Sequence, residues 1–195
     1  MPPLTPELPS RTVIMRLWDR YGMLPNIKNH SFQVCNVALT LWQWLGENNY
    51  YLNRDMVESG ALLHDVAKAY CLDKPHLSHN LEGERIVAEA GYPELGLLVA
   101  RHVNLPEDQP LDETLLVFYA DKRVVGDKIV SVKKRYQYVY KVYGQNSEEG
   151  IARIRYDENR SYEVEKQIFR HICGRQPEDL CHIRSFNIIN KEPAC

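Results

Sequence analysis

The chain has 195 residues, 44% of them hydrophobic and 26% charged, so it is long enough to bury one sizeable core. Its formal net charge of -2 argues against an extended nucleic-acid interface, and no duplex partner is expected. It contains no run of 18 apolar residues, its Pro-rich first ten residues lack an apolar signal core, and its five cysteines are odd in number and scattered. These features predict a cytoplasmic protein with no membrane partner.

Periodicity of apolar residues predicts helices along most of the chain after a Pro-rich lead-in. The predicted helices span residues 12–21, 31–45, 55–69, 79–90, 93–103, 112–125, 131–143 and 162–172. His30 stands at the start of the second helix, where it meets a loop. Helical signal weakens beyond Gly144, and residues 174–195 are expected to form an extended tail. Strand signals are scarce, so the predicted fold class is all-α, a helical bundle with a polar cluster at its centre.

Residues 61–68 (ALLHDVAK) place three ionisable groups among apolar neighbours. Buried ionisable groups are costly unless they are paired or bound to a metal. Interpreted as a helix, the segment has His64 and Lys68 one turn apart on one face, with Asp65 about 100° around from His64. The imidazole and the carboxylate could converge on one transition metal, and Lys68 could hold an anion beside it.

Two later helices carry further polar residues on apolar faces. His102 continues the spacing of Leu95, Leu98 and Val99, so it is expected to point toward the core. Asp121 shares a predicted face with Val117, Phe118 and Val124 and is expected to point inward as well.

The order of His30, His64-Asp65 and Asp121 resembles the His…His-Asp…Asp signature of the HD-domain superfamily of metal-dependent phosphohydrolases. Residues 61–68 look like the second motif of that family, and residues 119–124 (YADKRV) resemble its last motif. The resemblance implies an HD-type helical domain over residues 29–143, preceded by a lead-in and short helix at 1–28 and followed by a helical extension and tail at 144–195. It also implies that His30, His64, Asp65 and Asp121 bind metal.

Two histidines between these motifs make the chain similar to two-metal HD proteins, namely the HD-GYP group and the HD-type dinucleoside tetraphosphatases. The resemblance implies that His79 and His102 bind a second ion and that Asp65 bridges the two. Val103 stands where HD-GYP proteins usually have a paired histidine, and the Gly-Tyr-Pro at residues 91–93 precedes His102. Hydrolysis of cyclic dinucleotides is therefore disfavoured.

The predicted activity is hydrolysis of a phosphoester or phosphoanhydride of a small molecule, with a nucleotide as the expected substrate. A metal ion lowers the pKa of the attacking water, and a second ion clamps the phosphoryl oxygens. Asp65 and Lys68 are the predicted catalytic residues, while Lys68, Arg101 and Lys122 are predicted to neutralise phosphate charge. Nitrogen and oxygen ligands fit one or two divalent ions of Fe, Mn, Zn, Ni or Co.

Other interpretations remain open from the sequence. A one-metal nucleoside monophosphate phosphatase would use His79 and His102 to orient phosphate, and a non-catalytic nucleotide sensor would use the same pocket only for binding. Lys68 could instead extend its stem over the core and end in solvent. The apolar, tyrosine-rich C-terminal half offers surface for a homodimer.

Two further groups of residues favour structural explanations. The basic, tyrosine-rich segment 133–143 could stack on RNA, but a solvated helix edge with tyrosines packed on the bundle is the favoured interpretation. Cys173, Cys181, His182 and Cys195 have irregular spacing for a zinc site, so inert thiols are favoured.

Overall fold

Eight α-helices account for most of residues 7–144 and 147–183, which are the residues that the computed structural model describes. The helices are α1 (Arg11–Arg20), α2 (Pro25–Glu47), α3 (Arg54–Leu63), α4 (His79–Glu89), α5 (Pro93–Arg101), α6 (Glu113–Lys122), α7 (Val132–Tyr143) and α8 (Glu148–Phe169). A short antiparallel hairpin, β1 (Val124–Val125) and β2 (Lys128–Ile129), follows α6, and a 3-10 helix spans Pro177–His182. The predicted all-α fold class is confirmed. None of the described helices has both the length and the apolarity to cross a membrane.

Helix α2 lies at the centre of the bundle and packs against α3 and α6. Its residues Val34, Val37, Leu41 and Leu45 are completely buried, and burying each such side chain stabilises the fold by about 1.5–3 kcal/mol. The helix begins at Pro25, earlier than predicted, because proline suits the first helical position. The expectation that His30 stands at the start of this helix is therefore wrong, since it lies in the second turn.

Helix α3 ends at Leu63, so the prediction of one helix through residue 69 is wrong. Residues 64–73 form consecutive turns, with the Val66 N–H donating to the Leu63 carbonyl at 3.0 Å. His64 Nδ1 lies 2.8 Å from the Ala61 carbonyl, which a continuing helix would have bonded to the N–H of Asp65. The imidazole thus competes with the helix for this carbonyl, and Lys68 lies in the turns rather than on a helical face with His64.

Helix α5 ends in the same way. It stops at Arg101 instead of continuing to residue 103, and His102 Nδ1 lies 2.5 Å from the Val99 carbonyl. Both histidines thus occupy the first position after a helix, with their other ring nitrogen, Nε2, directed away from the helix backbone.

Helix α6 is also shorter than the predicted 112–125. Asp112 caps its start by accepting a hydrogen bond from the Leu115 N–H at 2.9 Å, and the helix ends at Lys122. The next residues form the hairpin, whose turn includes Gly126 in the left-handed region at φ +60°.

The C-terminal region contains more helix than expected. Helix α8 begins at Glu148, well before the predicted start at residue 162, and packs against α6 and α7. Its four buried residues, Ile154, Ser161, Val164 and Ile168, are spread over four turns, which explains its weak apolar signal. The 3-10 helix interrupts the expected extended tail, and residues 184–195 of that tail lie outside the described residues.

Candidate metal centre

Three imidazoles in the bundle are oriented by backbone carbonyls. His30 Nδ1 lies 2.9 Å from the carbonyl of Gly126 in the hairpin turn, and His64 and His102 bind carbonyls of the helices that they terminate. A carbonyl only accepts hydrogen bonds, so each Nδ1 must donate, and each neutral ring then carries its lone pair on Nε2. This is the arrangement by which proteins prepare histidines to bind metal.

The first group of potential ligands contains His30, His64 and Asp65, whose ligand atoms all lie within 4.8 Å of one another. The Asp65 Oδ2 atom is 4.0 Å from His30 Nε2 and 3.5 Å from His64 Nε2. Asp121 is not a member of this group, but its Oδ1 atom is 3.0 Å from His30 Nε2 and 3.9 Å from His64 Nε2. Two ligand atoms about 2.1 Å from a common ion lie roughly 3.0 Å apart at a right angle and about 4.2 Å apart when opposite. All four distances fall in that range.

The second group contains Asp65, His79 and His102. The Asp65 Oδ1 atom is 3.6 Å from Nε2 of both histidines. His79 is the first residue of α4, and His102 follows the last residue of α5, so the packing of these two helices brings the rings together with their centroids 5.3 Å apart. The two oxygens of Asp65 thus face different pairs of histidines, as a bridging carboxylate requires.

The buried nitrogen and oxygen atoms that face one another in this cluster fit a bound cation. His64 Nε2 is buried and has no hydrogen-bond partner among the described residues, although Asp65 Oδ2 is 3.5 Å away. In the neutral ring, this nitrogen directs a lone pair toward an ionised oxygen, which is unfavourable in a buried site. A metal ion bound to both atoms would relieve the repulsion, so the residues present suit one or two divalent ions.

The two carboxylates are held in their ionised forms. Burial favours a higher pKa for Asp65, but His64, His102 and Lys68 hold this pKa well below its ordinary value. Burial acts in the same direction on Asp121, and the charges of Lys122 and Arg135 lower its pKa well below the ordinary value. Ionised carboxylates are the form that binds a metal.

The histidines of the second group are held neutral. Burial, assisted by the neighbouring His102, lowers the pKa of His79 to about 4. Burial likewise lowers the pKa of His102. For His64 burial opposes protonation, but the charge of Asp65 outweighs it and raises the pKa, so a cation bound here would take the place of that proton.

Two lysine side chains contact the carboxylates. Lys68 Nζ lies 2.8 Å from Asp65 Oδ2, and Lys122 Nζ lies 2.8 Å from Asp121 Oδ2. Lys122 also donates to the carbonyl of His102 at 3.1 Å, so it connects Asp121 to a residue of the second group. Arg101, which directly precedes His102, is exposed, and its predicted contact with phosphate stays a prediction.

Arg135 is the basic residue that sequence reasoning missed. Its Nη2 atom lies 3.8 Å from Asp121 Oδ1, and Nη1 donates to the Val124 carbonyl at 3.0 Å. The sequence places it in a basic run, which we interpreted as a solvated helix edge. Its spacing from the buried residues Val132 and Tyr136 could have placed it on the inner face of α7.

The cysteine-rich candidate site receives no support. Cys173, Cys181 and His182 form no potential metal group among residues 7–144 and 147–183, and the fourth member, Cys195, lies outside them.

Comparison with known proteins agrees with this geometry. Residues 27–125, just over half of the chain, match the HD domain family. The chain therefore belongs to the HD domain family, a superfamily of metal-dependent phosphohydrolases whose domains bind divalent metals. It is also 27% identical, over 138 residues, to an uncharacterized protein of Methanocaldococcus jannaschii, covering 62% of this chain and 79% of the relative. No solved structure matches the chain significantly.

Proposed function

We propose that the protein is a two-metal phosphohydrolase that cleaves a phosphoester or phosphoanhydride bond of a nucleotide. The observation that carries this proposal is the position of Asp65, whose two oxygens face separate pairs of histidines at 3.5–4.0 Å. A single-metal site would need only one of these pairs. The second pair, His79 and His102, is held in the neutral form that binds metal.

The two proposed ions would be bound by different sets of residues. His30, His64 and Asp121 would hold one ion, His79 and His102 the other, and Asp65 would bind both. Ions bound at these positions would lower the pKa of a water molecule and withdraw charge from the phosphoryl group.

Asp65 occupies the centre of the cluster, where a proton from the attacking water could be accepted. The water oxygen forms a bond to phosphorus, the bond between phosphorus and the leaving oxygen breaks, and a carboxylate oxygen of Asp65 takes the proton released by the water. The leaving oxygen acquires its proton from solvent. Asp65 is thus both a proposed ligand and the proposed proton acceptor.

The basic side chains would stabilise the charge that develops on the phosphoryl oxygens. Lys68 is the most accessible of them, with 46% of its side chain exposed, and is placed to meet the incoming phosphate. Lys122 and Arg135 are more buried, at 12% and 19%, and lie beside Asp121. Fixed positive groups of this kind supply much of the catalysis of phosphoryl transfer.

The proposal is tested by treating the full chain with a chelator and restoring Mn, Fe, Co, Ni or Zn one at a time. Phosphate release is then measured with nucleoside mono-, di- and triphosphates, dinucleoside polyphosphates and sugar phosphates. We expect release from at least one nucleotide that depends on the restored metal. Absence of hydrolysis with every ion and every compound would overturn the proposal and favour a binding protein.

A further inference from the structure

The segment of residues 103–112 joins two proposed metal ligands. It begins directly after His102, which belongs to the second group, and it leads into α6, which carries Asp121. We call this segment the α5–α6 loop. Connecting segments of this length move readily unless other parts of the chain hold them. The position of His102 therefore depends on what holds the loop that continues from it.

Helix α8 binds the α5–α6 loop through side chains that share one face. Among the contacts are Arg153 with the Asn104 side chain at 2.9 Å, Tyr156 with the Glu107 side chain at 3.2 Å, and Gln167 with the Gln109 carbonyl at 3.3 Å. Arg160 lies on the same face, since the four donors are spaced by three, four and seven residues along the helix. Helix α8 lies beyond residues 27–125, which match the HD domain family, so this support comes from outside the matched domain.

Arg160 binds the backbone in the middle of the loop. Its Nη2 atom donates to the carbonyls of Pro106 and Glu107, each at 2.9 Å. Only 11% of its side chain is exposed, so water competes little for these hydrogen bonds. Its Nη1 atom lies 3.3 Å from the carboxylate of Glu163, which is 65% exposed. Because one nitrogen reaches both carbonyls, Arg160 fixes two consecutive residues of the loop at once.

The loop is also connected to the metal centre at its first residue. Lys122 of α6 donates to the carbonyl of His102 at 3.1 Å and to Asp121 Oδ2 at 2.8 Å. Within the loop, Leu105 and Leu111 are buried, so the loop packs on the bundle instead of projecting from it. His102 is thus held by its own helix, by α6, and by α8 through the loop.

We propose that Arg160 is a positioning residue of the metal centre, which fixes the α5–α6 loop and thereby holds His102 at the second metal position. The inference rests on the two-metal function proposed above and assigns a role in that site to the C-terminal helix. When the carbonyls of Pro106 and Glu107 lose their donor, the chain that follows His102 gains freedom. The imidazole is then less preorganised for binding an ion.

The test compares Arg160→Ala with the wild type, both as full chains. Amide hydrogen exchange of residues 103–112 in the metal-free proteins shows whether the loop is freed, and calorimetric titration with Mn²⁺ gives the affinity of each bound ion. We expect exchange in the loop to be about tenfold faster in Arg160→Ala. One of the two ions should bind roughly three- to tenfold more weakly and the other as in the wild type. This loss is smaller than for a direct partner of a ligand, because Arg160 acts through the loop.

Two further variants make the comparison specific. Lys166→Ala is the matched control, because Lys166 is an exposed basic residue on the same helix, and it should leave the exchange and both affinities unchanged. Arg160→Lys should restore part of the lost affinity, since an ammonium group can donate to two carbonyls as Nη2 does. If Arg160→Ala does not fold, Arg160→Gln provides the same comparison.

Unchanged exchange in the loop would overturn the proposal. Faster exchange with both Mn²⁺ affinities unchanged would overturn it as well, because that result is expected of a purely structural contact. Binding of no more than one ion by the wild type would overturn both this inference and the two-metal site. The measurements use no substrate, so a wild type that binds two ions but hydrolyses nothing would overturn only the phosphohydrolase activity.

Discussion

At the scale of single residues, the same kind of hydrogen bond orients three of the proposed metal ligands. His30, His64 and His102 each use Nδ1 to donate to a backbone carbonyl, which leaves Nε2 facing the cluster. The acceptors are the backbone carbonyls of Gly126, Ala61 and Val99, so these hydrogen bonds do not depend on the side chains of those residues. The two histidines that bond to their own helices also end those helices, so ligand orientation and helix length have the same cause.

Arg135 gives a prediction at this scale. It lies 3.8 Å from Asp121 and also binds the Val124 carbonyl, so it orients a proposed metal ligand and adds positive charge to the site. We expect Arg135→Gln to lower kcat/KM for phosphate release by about 10- to 100-fold, the usual cost of losing support behind a ligand. Steady-state kinetics with the best nucleotide substrate measures this effect.

Lys134→Gln is the control, since Lys134 precedes Arg135 on the same helix and is exposed. This variant loses the same formal charge but should keep wild-type kinetics. Equal losses in the two variants would show that net charge, rather than contact with Asp121, determines the effect of Arg135.

At the scale of helices, the close packing of α4 on α5 brings His79 and His102 together. A Cβ atom at Gly96 of α5 would lie 2.8 Å from the Glu84 carbonyl oxygen of α4, closer than real Cβ contacts. Gly96 is therefore required for these helices to approach as they do.

We expect Gly96→Ala to lower the free energy of unfolding by about 1–3 kcal/mol, because a methyl group forces two backbones apart. The occupancy of the second metal position should fall as well. Gly46→Ala is the matched control, since nothing lies within 4 Å of a Cβ there and alanine favours a helix. Urea denaturation measures the free energy of unfolding of both variants. An unchanged free energy of unfolding for Gly96→Ala would contradict the described packing.

The elements also explain which parts of the site could be predicted. Apolar periodicity correctly indicated that His102 and Asp121 point inward, because side-chain direction follows helix spacing even when a helix ends early. The helix ends at Leu63 and Arg101 could not be predicted, because they depend on an imidazole competing for a carbonyl. The inward position of Arg135 was hidden because the basic run around it favours solvent.

At the scale of the whole molecule, a buried arginine connects the bundle to its C-terminal segment. Arg123 is completely buried and donates to the Val130 carbonyl at 2.7 Å and to the Pro177 carbonyl at 2.8 Å. Its Nη1 atom also binds the Tyr119 hydroxyl at 2.6 Å and lies 3.4 Å from Glu165 on α8. These contacts tie the end of α6, which carries Asp121, to elements beyond residue 144. The division into segments 1–28, 29–143 and 144–195 stays a prediction.

We expect Arg123→Leu to lower the free energy of unfolding by about 3–5 kcal/mol, because it removes the positive charge beside the partly buried Glu165 carboxylate and the donor to two part-buried carbonyls. Arg170→Leu should change this free energy by no more than about 0.5 kcal/mol, since Arg170 is exposed. Chemical denaturation measures both variants. A loss below about 1 kcal/mol for Arg123→Leu would show that the C-terminal segment does not depend on this contact.

The most direct test of the two-metal centre is elemental analysis, in metal ions per chain, of the purified full-length protein and of Asp65→Ala. We predict close to two transition-metal equivalents in the wild type and almost none in Asp65→Ala, whose far-ultraviolet circular dichroism should remain helical. Asp73→Ala is the control, since the Asp73 side chain is 81% exposed, and it should keep both ions. One equivalent or fewer in the fully reconstituted wild type, or two ions retained by Asp65→Ala, would contradict a binuclear centre bridged by Asp65.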